Sequence, residues 1–164
     1  MTRLTPEPMP WWRWIDIPPV WLALCLAAAW AGRQPSLFPS GSPYAALGQG
    51  FDLLAILLVA AGIGLMAWAL LTMARARTTP VPHQPPAALV TTGPFRLTRN
   101  PIYLGDALVL SGALLWWHAW VMAWLLPLFV WIITVRFIRP EEARLRTAFG
   151  PDFEAWAART RRWL

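Results

Sequence analysis

Lysine is absent from this chain, and all fourteen basic residues are arginine. Charged residues make up only 13% of the 164, about half the roughly 25% usual in a soluble domain. That shortage excludes an ordinary water-facing surface. Cysteine occurs once, as Cys25 inside an apolar run, so no disulfide can form within the chain. A lone cysteine is also a poor metal site, and no metal is expected. Histidine occurs twice: His83 lies in a proline-rich stretch and reads as solvated, and His118 reads as a membrane-interface residue.

Hydrophobic residues are in excess at 57%, with thirteen Trp and seventeen Pro. The length fits a single domain over residues 1–164, with lipid as its solvent. The net charge is +6. Because the arginines sit beside hydrophobic runs, the charge indicates cytoplasmic anchoring rather than nucleic-acid binding. The Ala-rich, Lys-free composition suggests a GC-rich bacterial genome and an inner-membrane location.

Phe51 to Ala74 is 24 residues with one charge, Asp52, long enough at roughly 1.5 Å per residue to cross a hydrocarbon layer of roughly 30 Å. Arg75 and Arg77 stop it. Ile102 to Val135 is apolar apart from Asp106 and His118, and its 34 residues are too many for one crossing. It reads as a hairpin turning near Trp116-Trp117-His118-Ala119-Trp120, with Pro127 kinking the second helix. Trp11 to Ala31 contains Arg13, Asp16 and Pro18-Pro19, leaving 12 uninterrupted residues from Val20 to Ala31. It reads as an interfacial stretch feeding a short crossing. No cleavable signal peptide is evident.

The fold expected is all-α: an integral membrane bundle of about four transmembrane helices. With four crossings, thirteen of the fourteen arginines share one side and only Arg33 takes the other. This charge bias places both termini in the cytoplasm. Residues 1–86 form the N-terminal helices and a linker, extended from Thr78 to Pro86 by four prolines. From Pro151 to Leu164, Phe153, Trp156, Ala157, Thr160, Trp163 and Leu164 share a helical face. That pattern predicts an amphipathic helix on the inner leaflet.

Two polar clusters bracket the predicted hairpin and return to one membrane face. The first runs Ala88-Leu89-Val90-Thr91-Thr92-Gly93-Pro94-Phe95-Arg96, then Arg99-Asn100-Pro101-Ile102-Tyr103-Leu104-Gly105. The second is Glu141-Glu142 with Leu145 and Phe149-Gly150. In this order they resemble the isoprenylcysteine carboxyl methyltransferase and phospholipid methyltransferase superfamily, integral-membrane enzymes that use S-adenosylmethionine. The resemblance covers roughly Ala87 to Leu164, the cofactor-binding half.

The resemblance implies cofactor contacts from Ala88, Leu89, Val90, Gly93, Phe95, Asn100, Tyr103, Glu141 and Glu142. It implies an arginine that orients the substrate, for which Arg139 and Arg136 are the candidates. Asn100 stands where prenyl-cysteine enzymes carry His, which points to the broader bacterial branch. The activity implied is methyl transfer to a lipophilic acceptor from the bilayer, of the isoprenylcysteine carboxyl methyltransferase kind. Phospholipid amines and small thiols are the alternative acceptors. A non-enzymatic membrane assembly or transport partner is the alternative class.

The residue types suit that chemistry. Methyl transfer from a sulfonium needs in-line positioning and no metal. Phe95 and Tyr103 can face a sulfonium by cation–π attraction. Glu can bind an ammonium or ribose hydroxyls, and Arg can hold a carboxylate through two hydrogen bonds. An amine acceptor must lose a proton, and the motifs show no obvious base. Simpler roles compete. Asn100-Pro101 is also a helix start with Asn as N-cap, and Pro140-Glu141-Glu142 is a helix start with its acids placed for the dipole. Asp106, a turn inside the membrane, is expected to pair with Arg99 or Arg136.

Overall fold

The computed structural model describes residues 16–35, 41–43, 45–78 and 88–164, and every regular element among them is helical. The helices are α1 (Pro18–Ala31), α2 (Ala45–Arg75), α3 (Pro101–Trp116), α4 (Leu125–Ile133), α5 (Arg139–Phe149) and α6 (Pro151–Arg159). Short 3₁₀ turns occupy Gly93–Arg96 and Trp120–Met122. A π-helical turn, Thr134–Ile138, joins α4 to α5. Most of the proline-rich linker and the tryptophans before residue 16 lie outside the described residues.

Two stretches are long and apolar enough to cross a membrane: Ala45–Arg75 with 31 residues and Trp120–Phe149 with 30. The apolar part of the second ends at Ile138, and α5 continues beyond it as a polar extension. The other two expected crossings are shorter: α1 has 14 residues and α3 has 16. At roughly 1.5 Å per residue these span about 21 and 24 Å. Pro18 and Pro19 open α1 rather than interrupt it, since the first helical positions need no backbone N–H partner. The hairpin turn falls where expected. His118 takes φ 50° there, and its N–H bonds the Leu115 carbonyl at 3.0 Å.

Pro127 follows the 3₁₀ turn at Trp120–Met122. It sits in the first turn of α4, where proline is tolerated. A further departure from α-geometry comes later, and Pro140 supplies a physical reason for it. A proline offers no N–H, and its ring crowds the carbonyl four residues back. The wider π-turn makes room, with the Arg139 N–H bonding the Thr134 carbonyl instead. One extra residue in the turn rotates everything after it by about 100°, and so re-aims Glu141 and Glu142.

The most extensive helix contact joins α2 and α3. The buried residues of α2 are Gly48, Ala55, Gly62 and Ala69, one every seven positions. A seven-residue repeat follows a left-handed crossing, and small residues let backbones approach where no hydrophobic force drives helices together in lipid. A Cβ on Gly62 would lie 2.6 Å from the Gly105 carbonyl oxygen, and one on Gly112 2.7 Å from the Ala55 carbonyl oxygen. The rest of α2 faces outward: Leu53, Ile56, Leu57, Ile63 and Leu71 are each more than half exposed. Such a surface is consistent with lipid and not with water.

Behind α3 lies the main core, built from Leu110, Leu114, Phe129, Ile133, Phe137 and Ile138 with Cys25 and Ala29 of α1. Cys25 is thus a small core residue. A second cluster joins Ala69, Phe95, Phe153 and Trp156. It claims the apolar face of α6: Phe153 is 0% and Trp156 4% exposed. The expected inner-leaflet helix is therefore short and packed on the protein, because Phe95 and α2 offer that face an apolar partner.

Candidate functional site

The first polar motif is held from behind by the end of the chain. The Arg99 N–H bonds the Arg161 carbonyl at 2.9 Å. Thr98 Oγ1 and Asn100 Nδ2 both donate to the Arg162 carbonyl, at 3.1 and 2.9 Å. Trp156 Nε1 donates to the Phe95 carbonyl at 3.1 Å. Asn100 therefore precedes α3 without a side-chain capping bond; its amide secures the tail instead. Gly93 takes φ +59° and sits against Thr72 of α2, where a Cβ would lie 2.9 Å from the hydroxyl. A side chain there would meet both backbone strain and a clash.

This frame lines a cavity of about 360 Å³, within the roughly 300–1,000 Å³ of small-molecule sites. Phe95, Asn100 and Tyr103 come to it from the first motif and Glu141 from the second. Tyr103 Oη donates to Glu141 Oε2 at 3.3 Å, joining the two motifs across the hairpin. Met66, Leu70 and Met73 of α2 form an apolar wall, and Ile17, Pro18 and Pro19 form another at the start of α1. Glu141 lies beyond the apolar part of its helix. Burial pushes its carboxyl above the usual range, against the lowering effects of the Tyr103 hydrogen bond and Arg144.

Not every expected site residue reaches the cavity. Glu142 points the other way and is 6% exposed. It accepts from Arg162 Nε at 3.0 Å and Nη2 at 2.6 Å, and Arg99 Nη1 lies 3.4 Å from it. Successive helical positions diverge by about 100°, so adjacent glutamates cannot both face one pocket. Hydrogen bonding to Glu142 pushes the Arg162 guanidinium above its ordinary value, while burial pulls that of Arg99 below its own. Leu89 and Val90 pack on the Phe95–Phe153–Trp156 cluster. Ala88 and Gly93 are half-buried, and neither they nor Leu89 and Val90 belong to the cavity wall.

The two candidate arginines also lie off the wall. Arg139 is exposed. Arg136 is bound to Asp16 at 2.6 Å and stacks over Trp21 at 5.4 Å, tying the start of α1 to the end of the last apolar stretch. Two wall residues carry no such role in the sequence-based reading: Arg99, whose buried Nε has no hydrogen-bond partner among the described residues, and Asp106. The expected pairing of Asp106 with Arg99 or Arg136 is not formed, because those guanidiniums turn to Glu142 and Asp16. The signal for Asp106 was its spacing. It lies three residues after Tyr103, on the same helical face.

A pocket joining the two polar motifs across a hairpin directs attention to one protein family. The sequence profile of phospholipid methyltransferases matches residues 51–152. The chain belongs to the phospholipid methyltransferase family. No curated protein and no solved structure matches it at a significant level. Membership makes this a methyltransferase, and its two long apolar helices fit the membrane setting of such an enzyme. The family match begins within α2, ahead of the stretch that carries the sequence resemblance, and takes in the helix that forms the cavity's apolar wall. It ends before the tail residues that clamp the first motif.

Proposed function

We propose that this phospholipid methyltransferase family member binds S-adenosylmethionine in the cavity between Phe95, Tyr103 and Glu141. There it methylates a lipophilic acceptor arriving from the bilayer. The observation that carries the reading is the convergence of both motifs on one cavity, joined by the Tyr103–Glu141 hydrogen bond. The donor set suits the cofactor. Glu141 offers an anion to its ammonium or ribose. The unpartnered Arg99 Nε offers a donor to its carboxylate, and aromatic rings suit a sulfonium. Bound there, the cofactor supplies an electrophilic methyl group. Leu70, 43% exposed on the outer side of α2, places part of the wall against lipid, consistent with lateral entry of an acyl-chain substrate.

A specific observation favours an amine acceptor over a carboxylate. Arg99 is the one guanidinium on the cavity wall among the described residues, and Glu142 already faces it at 3.4 Å. Two acids, Asp106 and Glu141, share that wall. A carboxylate would be repelled there and an ammonium attracted. The prenyl-cysteine carboxylate is thereby the weaker candidate, and the phospholipid amine the stronger.

Binding of S-adenosylmethionine to the purified protein in detergent tests the reading. Saturable binding is expected, competed by S-adenosylhomocysteine. No binding at millimolar cofactor would leave the chain as a helical assembly partner whose charged residues only cap and anchor. The orientation is tested separately. A reporter after Leu164 should read cytoplasmic and one at Ser42 external; a cytoplasmic reading at Ser42 would remove the four-crossing arrangement.

A further inference from the structure

The cavity contains a carboxyl group that the cofactor reading leaves unused. Asp106 is 6% exposed and forms part of the wall. It has no hydrogen bond or ion pair among the described residues. A buried carboxylate without a partner is costly, and charged groups at membrane depth mark functional sites or buried pairs. Arg99, which shares the cavity wall, turns to Glu142 instead.

The surroundings narrow what Asp106 can meet. From α2 the cavity is faced by Met66, Leu70 and Met73, and from the start of α1 by Ile17 and two prolines, none of them ionisable. Among the described residues, the ionisable groups on the wall beside it are Tyr103 on its own helix, Glu141 from α5 and Arg99 from the loop, with the charge of Arg144 reaching Tyr103 and Glu141 from α5. Tyr103 bonds Glu141, and Arg99 sets its Nη1 against Glu142 while its Nε is left for the cofactor. Asp106 is thus the one acid on the wall, among the described residues, with no bond of its own. It opens on a space bounded by apolar residues from two helices.

We propose that Asp106 receives the ammonium group of a lipid amine and removes its proton before methyl transfer. This rests on the reading of the cavity as a methyl-transfer site. The lipid R–NH₃⁺ gives one proton to the Asp106 carboxylate and becomes R–NH₂. Its freed lone pair forms the N–C bond as the C–S bond of the methyl donor breaks, and that electron pair stays on sulfur. The sulfonium charge reappears on nitrogen as R–NH₂⁺–CH₃, and Asp106 then releases its proton to water. A thiolate or carboxylate acceptor would need no such base.

The test uses the full-length protein in mixed micelles, with Asp106→Asn and Asp106→Glu beside wild type. Cofactor affinity serves as the check on folding and should stay within about twofold, because the proposal places Asp106 on the acceptor rather than the donor. Methylation of phosphatidylethanolamine should fall roughly 100-fold or more in Asp106→Asn at neutral pH, the scale of lost general-base catalysis. It should recover as pH approaches the amine's own ionisation, and Asp106→Glu should restore part of it. Without cofactor, a fluorescent long-chain alkylammonium should bind Asp106→Asn roughly ten- to a hundredfold more weakly than wild type. Free ethanolamine should be a poor acceptor throughout.

Turnover of Asp106→Asn within threefold of wild type, with an unchanged pH profile, would overturn the assignment. So would a wild-type protein that binds cofactor but methylates no lipid amine, and that result would leave the cofactor reading standing. A wild type that binds no cofactor would remove both. Should Asp106→Asn fail to fold, Asp106→Glu and the alkylammonium titration of wild type against pH decide: binding that does not strengthen as the carboxyl ionises counts against the proposal.

Discussion

Arg162 closes on Glu142 through two hydrogen bonds, at 3.0 and 2.6 Å, twenty residues apart in the chain. The contact fastens the end of the chain to α5, and the same tail residue accepts from Thr98 and Asn100 through its carbonyl. Glu142, one of two adjacent acids in the second motif, is thereby a structural anchor for the loop that carries the first.

Removing that anchor should destabilise the protein without emptying the site. Glu142→Gln leaves Arg99 and Arg162 without their shared carboxylate. Since Arg162 is partly exposed, the cost should be about 1–3 kcal/mol, the range for losing a charged hydrogen-bond partner. Thermal unfolding in detergent should fall, and Arg162→Gln combined with Glu142→Gln should cost less than the sum of the two single changes. Strict additivity would show that the pair is not coupled.

Glu141→Gln should do the reverse. Cofactor binding should weaken by roughly 1.5–3 kcal/mol, with no fall in unfolding temperature. Unchanged affinity in the purified variant would reduce Glu141 to a helix-start residue.

The raised carboxyl of Glu141 sets the sign of a pH dependence. The folded protein holds this proton more tightly than the unfolded chain does. Its contribution to stability is present below the ordinary glutamate pKa and is lost as pH rises through the raised folded value. A cationic cofactor group prefers the ionised form, so affinity should rise over that interval while the stability of the free protein declines. Titration calorimetry and thermal melts across pH, wild type against Glu141→Gln, measure both trends; the variant should lack them.

Two glycines of α2 should respond oppositely to alanine. At Gly62 the new Cβ meets the Gly105 backbone at 2.6 Å, and overpacking should cost about 1–3 kcal/mol. At Gly64 nothing lies within 4 Å, and alanine should gain about 0.5–1 kcal/mol from helix propensity. Equal melting temperatures for the two variants would contradict the close α2–α3 approach.

Arg139, exposed and off the cavity wall, should tolerate change. Arg139→Lys and Arg139→Ala should methylate every active acceptor at the wild-type rate. A loss confined to carboxylate acceptors would instead bring Arg139 into the site.

Much of the architecture was legible in the sequence because lipid imposes a simple rule on it. Long apolar runs without charge become helices, since their backbone groups find no partner in hydrocarbon except one another. Phe51 to Ala74, the turn at Trp116 to Trp120, and the two polar motifs followed from that rule. The heptad of Gly48, Ala55, Gly62 and Ala69 was also present in the sequence, though only its partner glycines on α3 give it meaning. By contrast, the faces of the polar residues depended on local geometry. The π-turn ahead of Pro140 rotates the second motif, and its insertion leaves no pattern in hydrophobicity.

The sequence by itself determined an all-helical chain with long apolar runs, because composition and spacing suffice for that, and its two polar motifs carried the resemblance to a methyltransferase family. Only the tertiary structure decided which acid serves which end. Glu142 turns to Arg162 and Arg99, Arg136 turns to Asp16, and Asp106 is left facing the cavity. Ion pairs between residues as far as 120 positions apart are chosen by which charges the packed helices bring within reach of one another. That choice depends on helix rotation and on competition between partners, and neither is written in local sequence.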